Sequence, residues 1–325
     1  MMALRVVRTA LSGIAALLLA GCVSRGPALE PLLAGGGDAR VELEATPFFP
    51  QEQFQCGPAA LATVLSASGV EITPDALVPE VYIPGRRGSL QAELVAATRN
   101  HDRLPYVLPP SFEALLAAVA DGSPVLVLQK LGAGPFPGWH YAVLVGYDSS
   151  RDHVVLRSGT ERRRVLPAER FFATWDRAER WAMVTLRPGV LPPDADFARY
   201  MEAAAGLEAV GRRDAAALAY EAAARRWPKE SLPRLALANI AYARGDLPSA
   251  ERGFAEAARL DPTDAASRNN RAEVLRQMGC NAAARREVAA ARTLATGGPL
   301  AASVESTARE IAAQPDDDAV GCPAD

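Results

Sequence analysis

Thirty-four residues separate Gly211 from Gly245, and the same interval separates Gly245 from Gly279. Ala216, Ala250 and Ala284 keep that spacing, as do Ala223, Ala257 and Ala291. Tyr220 falls in register with Phe254 and Val288, and Pro228 with Pro262. From about residue 197 the chain is alanine-rich, charged and nearly free of β-branched residues, a composition that favours helices. Small residues at fixed register let two helices cross closely, and glycine supplies the left-handed turn between them. An aromatic fills the crossing, and proline ends the second helix. One such unit cannot bury its own apolar face, so copies must stack on one another.

These columns are similar to the tetratricopeptide repeat. The resemblance implies an all-α solenoid of about three repeats over residues 197–296, preceded by a linker at 189–196 and followed by a C-terminal tail at 297–325. Arrays of this kind usually offer a concave groove to a peptide or protein, so a protein partner bound through the repeats is expected. Asn239 and Asn270 fall on first helices of repeats, where such arrays often hydrogen-bond extended peptides. A stabilising appendage or a dimerisation surface is the plainer alternative.

The first half carries a different signal. Gln55-Cys56-Gly57-Pro58 opens a run of good helix formers, Ala59 to Ser68, which Gly69 closes. A cysteine in a first helical turn faces unpaired backbone N–H groups and the positive end of the macrodipole, which lower a thiol pKa. A base must come from His101, His140 or His153, the three histidines of the chain. His101 lies among Arg99, Asn100, Asp102 and Arg103, and His153 follows a turn, both surface contexts. His140 instead follows the loop Gly132–Gly138 and opens the apolar strand-like run Tyr141–Tyr147, a place from which a ring can reach a cleft. The expected fold is α+β, with helices at Cys56, at 89–100 and at 111–121. Its sheet is built from Val125–Leu128, the two strands of the His140 hairpin, and Trp181–Leu186.

Cys56-Gly57-Pro58-Ala59-Ala60-Leu61-Ala62 together with His140-Tyr141-Ala142-Val143-Leu144-Val145-Gly146-Tyr147-Asp148 resembles the papain-like family-39 cysteine peptidases, a group that includes bacteriocin leader-processing domains. The resemblance spans residues 46–188. It implies a nucleophile at Cys56, a base at His140 and an oxyanion donor at a glutamine before the cysteine. Gln51 fits that place best, with Gln53 and Gln55 as alternatives. The family's third residue, usually an aspartate that orients the imidazole, corresponds to Ser158, which accepts the ring N–H without supplying charge. Asp148 and Asp152, in the hairpin turn, would substitute only if that turn folded back.

The N-terminus reads as an address. Arg5 and Arg8 precede an apolar stretch from Ala10 to Ala20, and Leu19-Ala20-Gly21-Cys22 resembles a lipobox. Residues 1–21 would then be a lipoprotein signal peptide, Cys22 the lipidated residue, and 22–45 a tether with no core of its own. Val23, which is not aspartate, points to the outer membrane facing the periplasm. There Cys280 and Cys322 are a candidate disulfide tying the acidic run Asp316-Asp317-Asp318 to the last repeat.

A net charge of -3 gives no basic footprint for nucleic acid. Arg162-Arg163-Arg164 reads as a solvated strand edge, and Arg86-Arg87 as a basic spot near the cleft. No paired Cys/His ligands at short spacing suggest a metal, and no cofactor is expected. Three functions follow: a membrane-anchored thiol peptidase or amidase, a catalytically weak peptidase-fold scaffold for envelope complexes, and an acyltransferase.

Overall fold

The computed structural model describes residues 29, 39–51, 55–132, 138–315 and 322; Cys22, Gln53 and the run 316–318 lie outside them. The first part is built on an antiparallel sheet of β1 (Arg40–Glu42), β2 (Leu104–Val107), β3 (Val125–Leu131), β4 (Gly138–Asp148), β5 (His153–Ser158), β6 (Glu161–Pro167) and β7 (Ala182–Leu186). The order is β2-β7-β3-β4-β5-β6, with β1 added to β4. Every residue from Tyr141 to Tyr147 is buried, as a central strand covered on both faces requires.

The two faces have separate cores. Tyr141, Val143 and Val145 pack with α1 (Cys56–Ala67), α2 (Pro74–Val81) and α3 (Gln91–Asn100). Ala142, Leu144 and Tyr147 pack on the other side with α4 (Phe112–Ala120) and α5 (Ala168–Asp176). Even-numbered residues face one core up to Leu144, then the phase slips by one at Gly146, where the β4–β5 register carries a bulge. Pairing with β3 covers Gly138–Leu144 of β4, and β1 takes Gly146–Asp148 along the same edge. A Cβ on Gly146 would sit 2.6 Å from the Val41 carbonyl oxygen, so this close approach of β1 needs a glycine.

The expected helices and central strands are present, with α3 starting at Gln91 rather than residue 89 and α4 at Phe112 after the Ser111 cap. β1, β2, β6, α2 and α5 go beyond the expectation. β2 carries Pro105 and sits at the sheet edge, where a missing N–H costs no ladder bond. β6 is the opposite edge, and its exposed arginines suit a strand with an open side. The tether reading of 22–45 needs correction. Leu29 is fully buried in the sheet core, its N–H donates to Asp152 Oδ1 at 2.9 Å, and residues 40–42 form β1. Leu29 stands in the short run Pro27-Ala28-Leu29-Glu30-Pro31-Leu32-Leu33-Ala34, broken by two prolines and followed by three glycines, which carries no helix or strand period to read.

Seven helices follow among the described residues: α6 (Phe197–Ala209), α7 (Arg213–Arg226), α8 (Leu232–Ala243), α9 (Leu247–Leu260), α10 (Ala265–Gln277), α11 (Asn281–Ala295) and α12 (Ala301–Ala312). They form an all-α repeat region in which α6/α7, α8/α9 and α10/α11 are the successive pairs. Gly211, Gly245 and Gly279 turn between the helices of each pair at φ +79, +78 and +76. Ala216, Ala250 and Ala284, and Ala223, Ala257 and Ala291, are all 0 % exposed, which is the tight crossing their spacing requires. Part of the segment read as a tail is helical. α12 buries Val304 and Ile311 against α10 and α11 and so closes the apolar end of the stack.

The linker does not separate the two parts. The Asp196 N–H donates to the Tyr106 hydroxyl at 3.0 Å, and Arg212 Nη2 donates to the Asn100 carbonyl at 2.6 Å. One buried cluster runs from Tyr106 and Leu186 through Tyr200, Ala204 and Leu207. At Gly206 an added Cβ would meet the Arg99 guanidinium at 2.4 Å, so α6 lies flush against the sheet domain.

Gly146→Ala is expected to lower unfolding stability by about 1–3 kcal/mol, because β1 must move off β4 to admit the methyl group. Urea denaturation of the full chain reads it, with Gly122→Ala, strained by its positive φ but open to solvent, as the sterically unhindered comparison.

Candidate active site

Cys56 is the first residue of α1, whose N-cap, Gln55, offers no side-chain bond. The first-turn N–H groups are therefore left for whatever sits at the helix start. Cys56 is the free cysteine among the described residues and is partly buried; the other two described, Cys280 and Cys322, are joined with Cα atoms 5.5 Å apart. Burial raises the Cys56 pKa, against the pull of three backbone N–H groups, those of Tyr141, Gly57 and Cys56 itself. Cys56 thus lies against the residue that follows His140.

His140 stands near the start of β4, and its Nε2 is 2.8 Å from Ser158 Oγ at the end of β5. Nδ1 is the ring nitrogen left for proton exchange with a thiol. Burial, with the positive charge of Arg164 adding to it, pushes the imidazole pKa down to about 4. Glu161 faces Ser158 across the β5–β6 turn, yet its carboxylate goes to Arg164 at 3.5 Å. The charge felt at His140 is therefore a cation and not an orienting acid. Asp148 and Asp152 are at the far end of the hairpin, held by Ser150 and by the Leu29 N–H. His101 pairs with Glu80 at 2.9 Å, and His153 opens β5 opposite Asp148.

Gln51 is fixed at two points. Its N–H donates to the Gly159 carbonyl at 3.0 Å, and its Nε2 to the Tyr141 carbonyl at 3.3 Å. It lines the same cleft as Cys56 and His140, whereas Gln55 does not. The strand end that carries Ser158 is secured by Arg157, a buried arginine whose guanidinium donates to the carbonyls of Arg162, Leu43, Glu44 and Thr46. The segment leading toward Gln51 and the strand leading to Ser158 are thereby tied together. Sequence reading gave Arg157 no role, since a charged residue beside a strand end usually faces water.

One further side chain, Ser89, which the sequence places at a helix start, shapes the cleft wall. Ser89 Oγ would lie 2.2 Å from a Cβ on Gly57, so the glycine after the cysteine is what lets this wall close over the helix. The cleft has a volume of about 870 Å³, and Gln51, Cys56, Ser89, Trp139, His140 and Tyr141 are among its lining residues. In the repeats, Asn270 Nδ2 donates to Asn239 Oδ1 at 3.1 Å, a link between successive first helices. No group of His, Cys, Asp and Glu among the described residues could hold a metal ion, and none of the described helices is long and apolar enough to cross a membrane.

A thiol at a helix start, an imidazole on the adjoining strand and a fixed glutamine at one cleft are the arrangement of a papain-like cysteine peptidase fold. Residues 43–183 match the model of the Peptidase C39 like family, and this segment is a C39-like peptidase domain. A crystal structure of a protein assigned as a C39-like peptidase from Bacillus anthracis is similar at 18% identity over 46% of this chain and 98% of that one, with a TM-score of 0.40. The repeat region is similar to the Yersinia enterocolitica type III secretion chaperone SycD in complex with a peptide of the translocator YopD, at 22% identity over 35% of this chain and 90% of that one, TM-score 0.34. It is also similar to the TPR2B-domain:pHsp70 complex of yeast Sti1, at 18% identity over 35% of this chain and 96% of that one, TM-score 0.33. No curated protein matches the chain.

The thiol raised and the imidazole lowered together favour a neutral resting pair, which corrects the expectation of a low-pKa thiolate: burial outweighs the helix start. Iodoacetamide labelling of Cys56 should therefore rise only as pH approaches or exceeds the ordinary thiol value of 9.0, without a limb in acid. Ser158→Asp, by placing a negative charge on the imidazole, should move that profile to lower pH. Stability follows from the same shift. Between the ordinary 6.5 and about 4 the unfolded chain binds a proton that folded His140 refuses, so stability is lost as pH falls through that window. In urea denaturation the stability of wild type relative to His140→Gln should fall as pH is lowered from 6.5 to about 4, by at most ~3 kcal/mol given the partial exposure of the ring.

Proposed function

We propose that this protein is a thiol peptidase or amidase that hydrolyses a peptide or amide bond at Cys56. The observation that carries the reading is the His140–Ser158 hydrogen bond at the cleft that Cys56 lines. As Sγ bonds to the carbonyl carbon, His140 takes the thiol proton, so no charged pair has to be stored beforehand. The oxyanion is met by backbone N–H groups of Cys56 and Gly57, with the Gln51 amide in reach of the same cleft. His140 then gives its proton to the leaving amine nitrogen. Water attacks the thioester, His140 accepts the water proton, and Sγ departs and recovers it, releasing the acid.

The repeats fit a role in recruiting a protein substrate or partner, since stacked pairs of this kind present a groove. Lipidation at Cys22 would fix the protein to the periplasmic face of the outer membrane. Seven residues lead from Cys22 to buried Leu29, a reach of at most about 25 Å, so the catalytic domain would work close to the bilayer.

A second reading, a weakly active scaffold, is favoured by one feature: Ser158 offers no charge to the imidazolium that forms in the reaction. Turnover of peptide substrates separates the two. Cys56→Ala should abolish hydrolysis with unchanged circular dichroism, and Ser158→Ala should lower kcat by about tenfold. Silence at Ser158→Ala would remove that residue from the mechanism, and no turnover in wild type would leave the scaffold. Capture of the acyl group by added amines in preference to water would instead make the enzyme an acyltransferase.

A further inference from the structure

The lining of the cleft is one-sided in charge. It includes Arg86 and Arg87 and, among the described residues, no aspartate or glutamate. Glu93, whose charge is felt at Tyr141, is not among the lining side chains. Both arginines are exposed, on a short turn, Pro84–Arg86, that ends with Arg87 in the left-handed region at φ 49. An Ile83–Gly88 bridge closes that turn, with the Ile83 N–H donating to the Gly88 carbonyl at 2.9 Å. The loop therefore has a defined shape, and its arginines are presented at the cleft mouth instead of trailing in solvent. The Arg86 guanidinium has no acidic partner among the described residues, in a chain whose other exposed arginines commonly pair with carboxylates, as Arg163 does with Glu42 and Arg180 with Asp176.

The lining also includes Trp139, 57 % exposed, with the Lys130 ammonium 5.2 Å from its ring centroid. An exposed tryptophan in a cleft lining is an apolar platform, and the lysine against its ring, like Glu93, is not itself a lining residue. An unpaired guanidinium and an exposed aromatic face in one lining without acids describe the complement of a peptide that pairs a carboxylate with an apolar side chain.

We infer that the cleft selects acidic peptides: a carboxylate near the bond to be cleaved is held by Arg86, and an apolar side chain packs on Trp139. The inference rests on Cys56 and His140 acting at this cleft, and it adds the substrate class. The carboxylate has two sources, a Glu or Asp side chain and a chain-terminal carboxyl group. An arginine can take either in the same two-pronged way.

Binding is read on the full chain carrying Cys56→Ala, so that a protein without turnover still gives an answer. Three fluorescein-labelled peptides of one apolar sequence are compared by anisotropy: internal Glu with an amidated end, internal Gln with an amidated end, and internal Gln with a free carboxylate. The Glu peptide should bind about tenfold or more tighter than the amidated Gln peptide. That advantage should shrink between about 0.05 and 0.5 M salt and disappear in Arg86→Gln. Arg86→Glu should reverse the preference toward a Lys peptide, a result that simple misfolding of the loop cannot produce. Preference for the free carboxylate over both amidated peptides would keep the site and identify its ligand as a chain end. Equal binding of all three peptides, or a Glu preference that survives both Arg86 variants, overturns the inference. In active protein, Arg86→Gln should raise KM for the Glu peptide with kcat little changed, because the contact is made equally in the bound and transition states.

Discussion

Strand β4 is held on one edge along nearly its whole length, first by β3 and then by β1, and on the other edge by β5 from Val143 to Asp148. Among the described strands none pairs the β5-side edge of Gly138–Ala142, the stretch that carries His140. Its side chains are buried on both faces, which puts it at the centre of both cores. A strand so constrained is a rigid mount, and His140 stands at its open end. The same pairing places Ser158 at the end of β5 within hydrogen-bond reach of the ring. β1, far from the cleft, matters because it completes the edge that β3 leaves and, through the Leu43–Thr46 carbonyls on Arg157, ties the path to Gln51 to the strand that carries Ser158.

Electrostatics at the site follow from burial more than from the helix. A first helical turn stabilises a thiolate by roughly 1 kcal/mol, up to about 2 when partly buried. Desolvation of a charged sulfur and a charged imidazole in the same closed cleft acts in the opposite sense and prevails here. An aspartate in place of Ser158 would offset part of that penalty. With serine there, the pair is better suited to moving a proton during attack than to holding an ion pair at rest.

The two parts of the chain are joined as a unit. Tyr106 and Asp196, Arg212 and Asn100, and the contact of Gly206 with Arg99 bridge the sheet domain and the first repeat helix. The opposite end of the stack is closed by α12 and by the Cys280–Cys322 bond. A partner bound along the repeats would thus be held at a set position relative to the peptidase domain, without a swivelling linker.

Most of the repeat region was legible in the sequence, because each crossing and turn is made by local residues whose spacing is the spacing of the structure. The spacing of the alanine columns and of the three glycines places them by itself. The C39-like segment was legible too, through Cys56 and His140, since chemistry confines the nucleophile to a helix start and left few histidines to choose among. What the sequence could not determine depends on neighbours far along the chain. Ser89 closes over Gly57 from another element, Arg157 is buried by carbonyls more than a hundred residues away, and Leu29 fills a core it does not adjoin in sequence. The balance of charge at Cys56 and His140 belongs to the same category. Residue types determine which groups can ionise, but only packing determines how much water they lose, and here that loss decides the state of the pair.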